Sequence, residues 1–334
     1  MKYKNILITG GAGFVGSNLA ISLKQKYPQT KITCLDNLSR RGSELNLTRL
    51  KQNKIVFNYG DIRQPEDLNF LTADLIIDCS AEPSVLAGIT NPYFLINNNL
   101  IGTINCLELA RIRKSDFIFL SSSRVYSIKE LNRQKFKAVA ENFPLGRVRS
   151  LYGTTKLAAE LIIQEYADSF NLKAIINRCG CLAGPWQFGK VDQGVLTLWL
   201  AAHYFKKELA YIGFGGRGKQ VRDFLHIQDL FEILDIQINH FYQYSGEIYN
   251  IGGGIKNSTS LVNLTKICQK ITGNKIKIKS IKKNRPNDVI SYITDISKIK
   301  KQAHWSPQIS LEKTIEDTYN WIKENESVLK NILC

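Results

Sequence analysis

The stretch "ITGGAGFVGSNLA", residues 8–20, decides the fold of this chain. It contains the glycine spacing Gly11-x-Gly13-x-x-Gly16 and also the wider spacing Gly10-x-x-Gly13-x-x-Gly16. An apolar run precedes the glycines and a helical pattern follows them, which is the context in which such a turn binds a dinucleotide. Glycine lets the backbone approach a pyrophosphate, and the helix N-terminus supplies free N–H groups. The alternative is an ordinary tight turn between a strand and a helix that binds no ligand.

Asp36 indicates which dinucleotide the turn binds. It ends the next predicted strand, twenty residues beyond Gly16. A carboxylate there accepts hydrogen bonds from the adenosine ribose and would repel the additional phosphate of NADP. Arg40 and Arg41 follow closely and could hold that phosphate instead, but the carboxylate favours NAD. The residues predicted to bind this end of the cofactor are Gly10, Gly13, Phe14, Val15, Gly16, Asp36, Asn37, Asp61 and Ile62.

Strand and helix patterns alternate along the first half of the chain. The strand candidates are residues 5–10, 31–36, 54–61, 74–80, 116–123 and 173–178. This alternation predicts an α/β fold with a doubly wound parallel sheet of the Rossmann type. Beyond about residue 180 the pattern loosens, with one more strand at 247–254. We therefore predict an NAD-binding domain over 1–180, to which 221–255 returns, and a smaller C-terminal α/β substrate-binding lobe over 181–220 and 256–334.

Composition narrows the class of protein. The chain has 334 residues, of which 44% are hydrophobic and 22% charged, as in a globular protein large enough for two lobes. The net charge is +16, but the lysines are dispersed and no nucleic-acid-binding module accompanies them, so we predict no nucleic-acid partner. No apolar run approaches the ~20 residues that span a bilayer, and we expect a cytoplasmic protein without membrane insertion. The seven cysteines are irregularly spaced, so we predict that they are reduced and that there is no metal site.

Tyr152 and Lys156 are four positions apart in a helical pattern, so their side chains share one face. Free tyrosine has a pKa of ~10 and is a poor base, but a neighbouring ammonium lowers that pKa. Tyr152 can then take the proton of a sugar hydroxyl while hydride leaves the same carbon for the cofactor. The strand at 116–123 brings three serines, Ser121 to Ser123, to the edge of the sheet where ligands bind. For the tyrosine and lysine taken alone, the alternative is a solvated helix face.

These motifs resemble the extended short-chain dehydrogenase/reductase family, whose members act mostly on nucleotide-activated sugars. The shared features are Thr-Gly-x-x-Gly-x-x-Gly at 9–16, the serine strand, and Tyr-x-x-x-Lys at 152–156. The similarity runs essentially from end to end. Within the family, "QFG-x-x-DQG" at 187–194 followed by "GKQVRD" at 218–223 resembles the CDP-tyvelose (CDP-paratose) 2-epimerases.

The resemblance implies roles for individual residues. Ser122 would be the catalytic hydroxyl beside Tyr152 and Lys156, which would also contact the cofactor, and Asn99 would lie near the cofactor. The residues implied to bind the nucleotide sugar are Ser123, Cys181, Gln187, Gln193, Arg222, Arg285 and Asp288. Of these, Asp288 would approach the nucleoside ribose. The two arginines would hold the diphosphate with their planar guanidinium groups, although a surface ion pair with Asp223 or Asp229 would also suit Arg222. Helices around 100–113 and 152–168 would form a homodimer.

One departure from the family narrows the reaction. Members that eliminate water from the sugar carry an acidic pair after the catalytic hydroxyl, where this chain has Ser123 and Arg124. Members that decarboxylate a sugar acid also use a carboxylate at this point. Both dehydration and decarboxylation are therefore disfavoured. We predict an NAD-dependent nucleotide-sugar epimerase, similar to CDP-tyvelose 2-epimerase, that oxidises the sugar transiently to a keto sugar and reduces it again on the opposite face. The alternatives are a UDP-hexose 4-epimerase, a nucleotide-sugar reductase, and a non-catalytic dinucleotide-binding or RNA-associated protein.

A second departure is the insert at 128–150, which is rich in lysine and arginine. We predict that it forms a lid or flanks the substrate.

Overall fold

A computed structural model describes residues 1–333, which divide into two compact units. The first unit consists of Met1–Val125, Ser150–Arg178 and Phe231–Tyr249. The second unit consists of Tyr126–Arg149, Cys179–Leu230 and the chain from Asn250 onward.

The strands alternate with helices in the first half of the chain, as the sequence pattern predicts. They are β1 Asn5–Thr9, β2 Lys31–Asp36, β3 Val56–Tyr59, β4 Leu75–Asp78, β5 Asp116–Ser122, β6 Ala138–Val139, β7 Ala174–Cys179, β8 Cys181–Ala183, β9 Leu209–Ile212, β10 Val221–His226, β11 Ile248–Ile251, β12 Ser258–Ser260, β13 Ile278–Ile281 and β14 Ser291–Thr294.

The helices range from single turns to the 20-residue helix α7. They are α1 Phe14–Lys26, α2 Asn46–Gln52, α3 Ala87–Thr90, α4 Pro92–Ile96, α5 Gly102–Arg113, α6 Ile128–Gln134, α7 Leu151–Phe170, α8 Val195–Tyr204, α9 Ile227–Asn239, α10 Phe241–Tyr244, α11 Leu261–Thr272, α12 Ser297–Ala303, α13 Leu311–Glu324 and α14 Glu326–Leu333. A π-helical turn, Asn97–Ile101, joins α4 to α5, and a 3₁₀ turn, Ser123–Val125, follows β5.

A seven-stranded sheet has the order β11-β7-β5-β4-β1-β2-β3. The pairings of β1 with β2 and β4, of β2 with β3, and of β4 with β5 are parallel. The order runs outward in both directions from β1 and β4, so the predicted doubly wound α/β fold is confirmed. Ligands of such sheets bind beyond the carboxyl ends of the strands where the order reverses, and the glycine-rich turn follows β1 at that point.

The core of the first unit lies between this sheet and the helices α5 and α7. Fully buried side chains include Ile76 of β4, Phe117 and Phe119 of β5, Leu107 of α5 and Ile163 of α7. Each such side chain contributes about 1.5–3 kcal/mol through its removal from water. This packing fixes α7 against β5, the two elements that carry the predicted catalytic residues.

The second unit is built on a separate sheet with the order β12-β10-β14-β6, in which β8 also pairs with β10. Strands β9 and β13 form a parallel pair of their own. The units divide the chain differently from the predicted domains. The segment that returns to the first unit is 231–249 rather than 221–255, and the insert belongs to the second unit because β6 pairs with β14.

Candidate active site

The glycine-rich turn between β1 and α1 is packed too closely at Gly11 and Gly16 to admit a side chain there. A Cβ on Gly11 would lie 2.4 Å from the Cβ of Cys34, and one on Gly16 would lie 2.3 Å from the carbonyl oxygen of Gly10. No side chain caps α1, which begins at Phe14, so its first N–H groups have no acceptor within the helix. A bare turn beside an uncapped helix N-terminus fits the pyrophosphate of a dinucleotide.

Substitution of Gly16 by alanine should therefore disrupt cofactor binding. The new Cβ would meet the backbone of Gly10 and Gly11, at 2.3 and 2.8 Å, and backbone cannot swing aside as a flexible side chain can. We expect NAD to bind about tenfold more weakly or worse, since about 1.4 kcal/mol of strain already corresponds to a factor of ten. Isothermal titration with NAD measures this. Gly146→Ala is the control, because a Cβ there meets nothing within 4 Å, and equal affinities for the two variants would contradict the prediction.

The predicted adenosine end of the site is formed by the loops after β2 and β3. Asp36 accepts hydrogen bonds from the backbone N–H groups of Ala12 at 3.0 Å and Leu38 at 2.8 Å. Burial raises the pKa of Asp36, and the backbone N–H groups only partly offset that effect. Asp36 thus links the end of β2 to the glycine-rich turn.

Asp61 lies next to Asn37, whose side-chain nitrogen donates to it at 2.9 Å. Burial raises the pKa of Asp61, but hydrogen bonds from Arg63 and Asn37 outweigh burial and lower that pKa to about 2. Ile62, the next residue, is buried, and a Cβ on Gly102 would lie 2.4 Å from its Cδ1. The carboxylate of Asp61 is therefore ionised and fixed in place at neutral pH.

Asn99 lies in the π-helical turn between α4 and α5 and is fully buried. Its Oδ1 accepts from the backbone N–H of Glu82 at 2.8 Å, and its Nδ2 donates to the carbonyl oxygen of Glu82 at 3.0 Å. Nδ2 also lies 3.5 Å from Oγ1 of Thr155, the residue before Lys156. Single π turns inside helices are frequent at functional sites. Here the turn lets Asn99 connect the segment after β4 to the helix that carries the predicted catalytic pair.

Tyr152 lies in the first turn of α7. The helix begins at Leu151 and is capped by Ser150, whose Oγ accepts a hydrogen bond from the N–H of Gly153 at 3.2 Å. The side chain of Tyr152 is buried but not fully enclosed, with 8% of the residue exposed. The cap therefore fixes the position at which the phenol enters the site.

Lys156 lies one turn further along α7 and is held by β5. Its Nζ donates to the carbonyl oxygen of Leu120 at 3.0 Å and lies 4.4 Å from the ring centroid of Phe119. Ser122 ends the same strand, and its Oγ accepts from the N–H of Arg124 at 3.2 Å. The three predicted catalytic residues therefore belong to two elements of one unit that are joined by a direct hydrogen bond.

A buried ion pair lies one further turn along the same face of α7. Nη2 of Arg178 is 2.7 Å from Oε2 of Glu160, Nε of Arg178 lies 3.1 Å from both carboxylate oxygens, and Oγ of Ser121 donates to Oε1. The side chains of Glu160 and Arg178 are 0% and 3% exposed. Glu160 thus connects α7 to both β5 and β7, one turn away from the predicted catalytic residue Lys156.

Neither residue of this ion pair, Glu160 or Arg178, is among the functional residues predicted from the sequence. Tyr152, Lys156 and Glu160 recur at intervals of four, so all three lie on one helix face. A carboxylate at the third position of that series, on the apolar side of a helix, was the signal that could have identified it.

Apart from Ser123, the residues implied to bind the nucleotide sugar belong to the second unit. Arg222 donates from Nη2 to Oδ1 of Asp288 at 3.2 Å, and both side chains are mostly buried. Arg222 therefore forms an ion pair with Asp288. Arg285 donates from Nη1 to the carbonyl oxygen of Val191 at 3.1 Å.

The loop that contains Val191 also contains Gln187 and Gln193. Gln187 donates to the carbonyl oxygen of Leu182 at 2.8 Å and accepts from Oγ1 of Thr197 at 2.9 Å. Gln193 closes a tight turn, because its backbone exchanges two hydrogen bonds with Lys190 at 2.9 and 3.0 Å. Arg285, through its bond to Val191, thus holds the tip of this loop.

The two remaining residues lie elsewhere. Cys181 is partly exposed in β8, and Ser123 is the first residue of the 3₁₀ turn of the first unit.

Residues 6–252 match the sequence model of a family described as the NAD dependent epimerase/dehydratase family. The chain is 30% identical to the CDP-paratose 2-epimerase of Salmonella typhi, over 95% of this chain and 98% of that protein. It is 28% identical to the UDP-glucuronate 4-epimerase of Thermodesulfobacterium geofontis, over 98% of each chain.

Solved structures of the same kind share the fold. A dTDP-glucose 4,6-dehydratase from Bacillus anthracis in complex with NAD has a TM-score of 0.84 and 27% identity, over 98% of this chain and 99% of that one. A UDP-glucuronic acid 4-epimerase from Bacillus cereus, in complex with UDP-glucuronic acid and NAD, has a TM-score of 0.82 and 28% identity, over 96% and 99%. Across residues 1–333, no helix has the length and apolar character needed to cross a membrane.

Proposed function

The chain belongs to the NAD-dependent epimerase/dehydratase family, and from this premise we propose that it inverts one carbon of a nucleotide-activated sugar, most closely as CDP-tyvelose (CDP-paratose) 2-epimerases do. The observation that carries the proposal is the buried face of α7 on which Tyr152 and Lys156 lie, with Lys156 hydrogen-bonded to the strand that ends in Ser122. The predicted family and NAD cofactor are confirmed.

The residues around the glycine-rich turn fit NAD. We propose that the turn and the N-terminus of α1 hold the pyrophosphate, that Asp36 accepts from the adenosine ribose, and that Asp61 lies near the adenine. Asn99, Tyr152 and Lys156 would hold the nicotinamide end. NAD, when bound, supplies the hydride acceptor that allows transient oxidation of the sugar and the hydride donor that reverses it.

Side chains of the first unit would accept the proton of the sugar hydroxyl and return it. The phenol oxygen of Tyr152 takes the proton of the sugar hydroxyl during oxidation and returns it during reduction. The ammonium of Lys156 favours the phenolate form that this requires. The hydroxyl of Ser122 donates to the sugar oxygen and so fixes its distance from Tyr152. No other acid or base is needed for this cycle.

The residues after Ser122 favour epimerisation over dehydration. Dehydratases of this family resemble the chain too, with the Bacillus anthracis enzyme at 27% identity. Elimination of water needs an acid to protonate the leaving hydroxyl and a base to remove a proton from carbon. The positions that would carry them hold Ser123 and Arg124, and the backbone of Arg124 is already bonded to Ser122.

Activity measurements with defined nucleotide sugars test the proposal. Purified protein is incubated separately with CDP-linked deoxyhexoses and UDP-linked hexoses, and the sugar proton couplings are followed by NMR. We expect inversion at C2 of a CDP-sugar without consumption of added reduced cofactor. Inversion at C4 of a UDP-hexose alone would instead favour the 4-epimerase alternative, and stoichiometric consumption of reduced cofactor would identify a reductase.

We also propose that the protein forms a homodimer through α5 and α7. These helices and the turn before α5 present exposed apolar side chains, namely Ile101, Ile112, Leu161 and Phe170. Pairing with a second copy would remove these side chains from water. Light scattering on the purified protein should give the mass of two chains.

A further inference from the structure

The basic insert is an ordered part of the second unit. Helix α6 is capped by Ser127, whose Oγ accepts from the N–H of Glu130 at 3.5 Å, and Leu131 is buried. Strand β6 then pairs in parallel with β14, with Ala138 opposite Ile293. These contacts place the insert against the chain that leads from Asp288 into β14.

Asn132 of α6 holds that chain at two points. Its Nδ2 donates to the carbonyl oxygen of Asp288 at 3.2 Å, and its Oδ1 accepts from the N–H of Ile290 at 2.7 Å. The backbone N–H of Phe136 adds a bond to Oγ of Ser291 at 2.6 Å. The side-chain amide of Asn132 thus donates to and accepts from one backbone segment, as a peptide group of a neighbouring strand would. That segment is more than 150 residues away in sequence.

Arg222 holds the same segment by other groups. Its Nη2 donates to Oδ1 of Asp288 at 3.2 Å and to the carbonyl oxygen of Val289 at 2.8 Å. Oδ1 of Asp288 also accepts from the N–H of Val289 at 2.8 Å. Among the described residues no donor bonds to Oδ2 of Asp288, and the side chain is 18% exposed. One carboxylate oxygen is therefore fixed in place and the other is left to accept from a ligand.

We propose that Asn132 is a positioning residue that sets the affinity and selectivity of the site for the ribose of the nucleotide. The inference rests on the proposed function and on the role that the family resemblance implies for Asp288, which is to approach that ribose. Asn132 does not touch the sugar. It holds the backbone on both sides of Val289, so that Oδ2 of Asp288 accepts from the vicinal ribose hydroxyls without first being ordered. The insert thereby supports the nucleotide site.

The test removes the amide and keeps the size of the side chain. Asn132→Leu is compared with Gln134→Leu, since the amide of Gln134 donates to the carbonyl oxygen of Ala138, within the insert, at 3.2 Å. Isothermal titration measures binding of CDP, UDP and their 2′,3′-dideoxy analogues, and the base that binds wild type more tightly is used for the comparison. We expect wild type to bind the ribose form more tightly than the dideoxy form. Asn132→Leu should bind the ribose form about tenfold more weakly, but its affinity for the dideoxy form should change little. A loss of this size is expected when a backbone group loses its hydrogen-bond partner. Gln134→Leu should keep the wild-type preference.

Asn132→Asp provides a second, polar variant if the leucine variant does not fold. It keeps the acceptor for Ile290 but places a carboxylate oxygen against the carbonyl oxygen of Asp288, so it should lose the ribose preference in the same direction and at least as fully. In kinetics, both variants should raise KM for the nucleotide sugar more than they lower kcat. Equal ribose preference in Asn132→Leu and Gln134→Leu would overturn the inference, as would a wild type without such preference. A wild type that binds neither CDP nor UDP would overturn the proposed function itself.

Discussion

Tyr152→Phe should reduce kcat by a factor of about 10² to 10⁴, the range that general acid–base catalysis contributes. The substitution removes only the phenol oxygen and keeps the ring, which is almost buried at the start of α7. We propose that the glycine-rich turn and Asp36 provide most of the contacts with NAD, so the affinity for NAD should stay nearly unchanged. Steady-state kinetics together with isothermal titration of NAD separate the two effects.

Tyr166→Phe is the matched control on the same helix. The hydroxyl of Tyr166 donates to Oε1 of Glu108 at 2.6 Å, outside the catalytic set. Burial and the adjacent carboxylate raise the pKa of Tyr166 to about 12, so this phenol stays protonated and takes no part in proton transfer. Its removal should leave kcat close to that of wild type. An unchanged turnover in Tyr152→Phe would remove Tyr152 from the mechanism.

Glu160→Gln should cost about 3–5 kcal/mol of the free energy of unfolding, because it leaves the charge of a buried arginine without its partner. The amide keeps the size of the side chain, so the loss reports charge rather than packing. The side chain of Arg178 is 3% exposed, so little water can solvate the charge that is left without its partner. Urea unfolding of wild type and variant at neutral pH measures the difference.

Two variants check that the cost arises from burial of the charge. Glu108→Gln breaks a pair with Arg111 in which both side chains are more than a third exposed, and it should cost under about 1 kcal/mol. The double variant Glu160→Met with Arg178→Met removes both buried charges and should be more stable than Glu160→Gln. A cost for Glu160→Gln no larger than that for Glu108→Gln would show that the pair does not support the fold.

The parts of the fold that local sequence specifies were predictable. The glycine spacing, the apolar runs and the residue that ends β2 follow from backbone freedom and strand periodicity, and the seven-stranded sheet confirms the α/β prediction. The boundaries of the strands were less predictable from local sequence. Residues 54–61 predict a long third strand, but β3 is limited to Val56–Tyr59, because at the edge of the sheet it has only β2 as a partner.

Contacts between distant segments could not be read from the sequence. Glu160 meets Arg178 and Ser121 only once α7 packs across β5 and β7. In the sequence, Asn132 is one polar residue among the charged residues of the insert. Its contact with the segment from Asp288 to Ile290 forms only when β6 pairs with β14. In both cases the partner is set by tertiary packing, which local patterns do not encode.

Isotope tracing follows the path of the hydrogen at the inverted carbon and tests the central claim most directly. The active nucleotide sugar is prepared with deuterium at the carbon that the enzyme inverts, the reaction is run in ordinary water, and the product is analysed by NMR and mass spectrometry. Transient oxidation and re-reduction within one active site predicts that the product retains the deuterium at that carbon. Loss of the deuterium to solvent would show that the carbon is deprotonated instead, and would contradict the account.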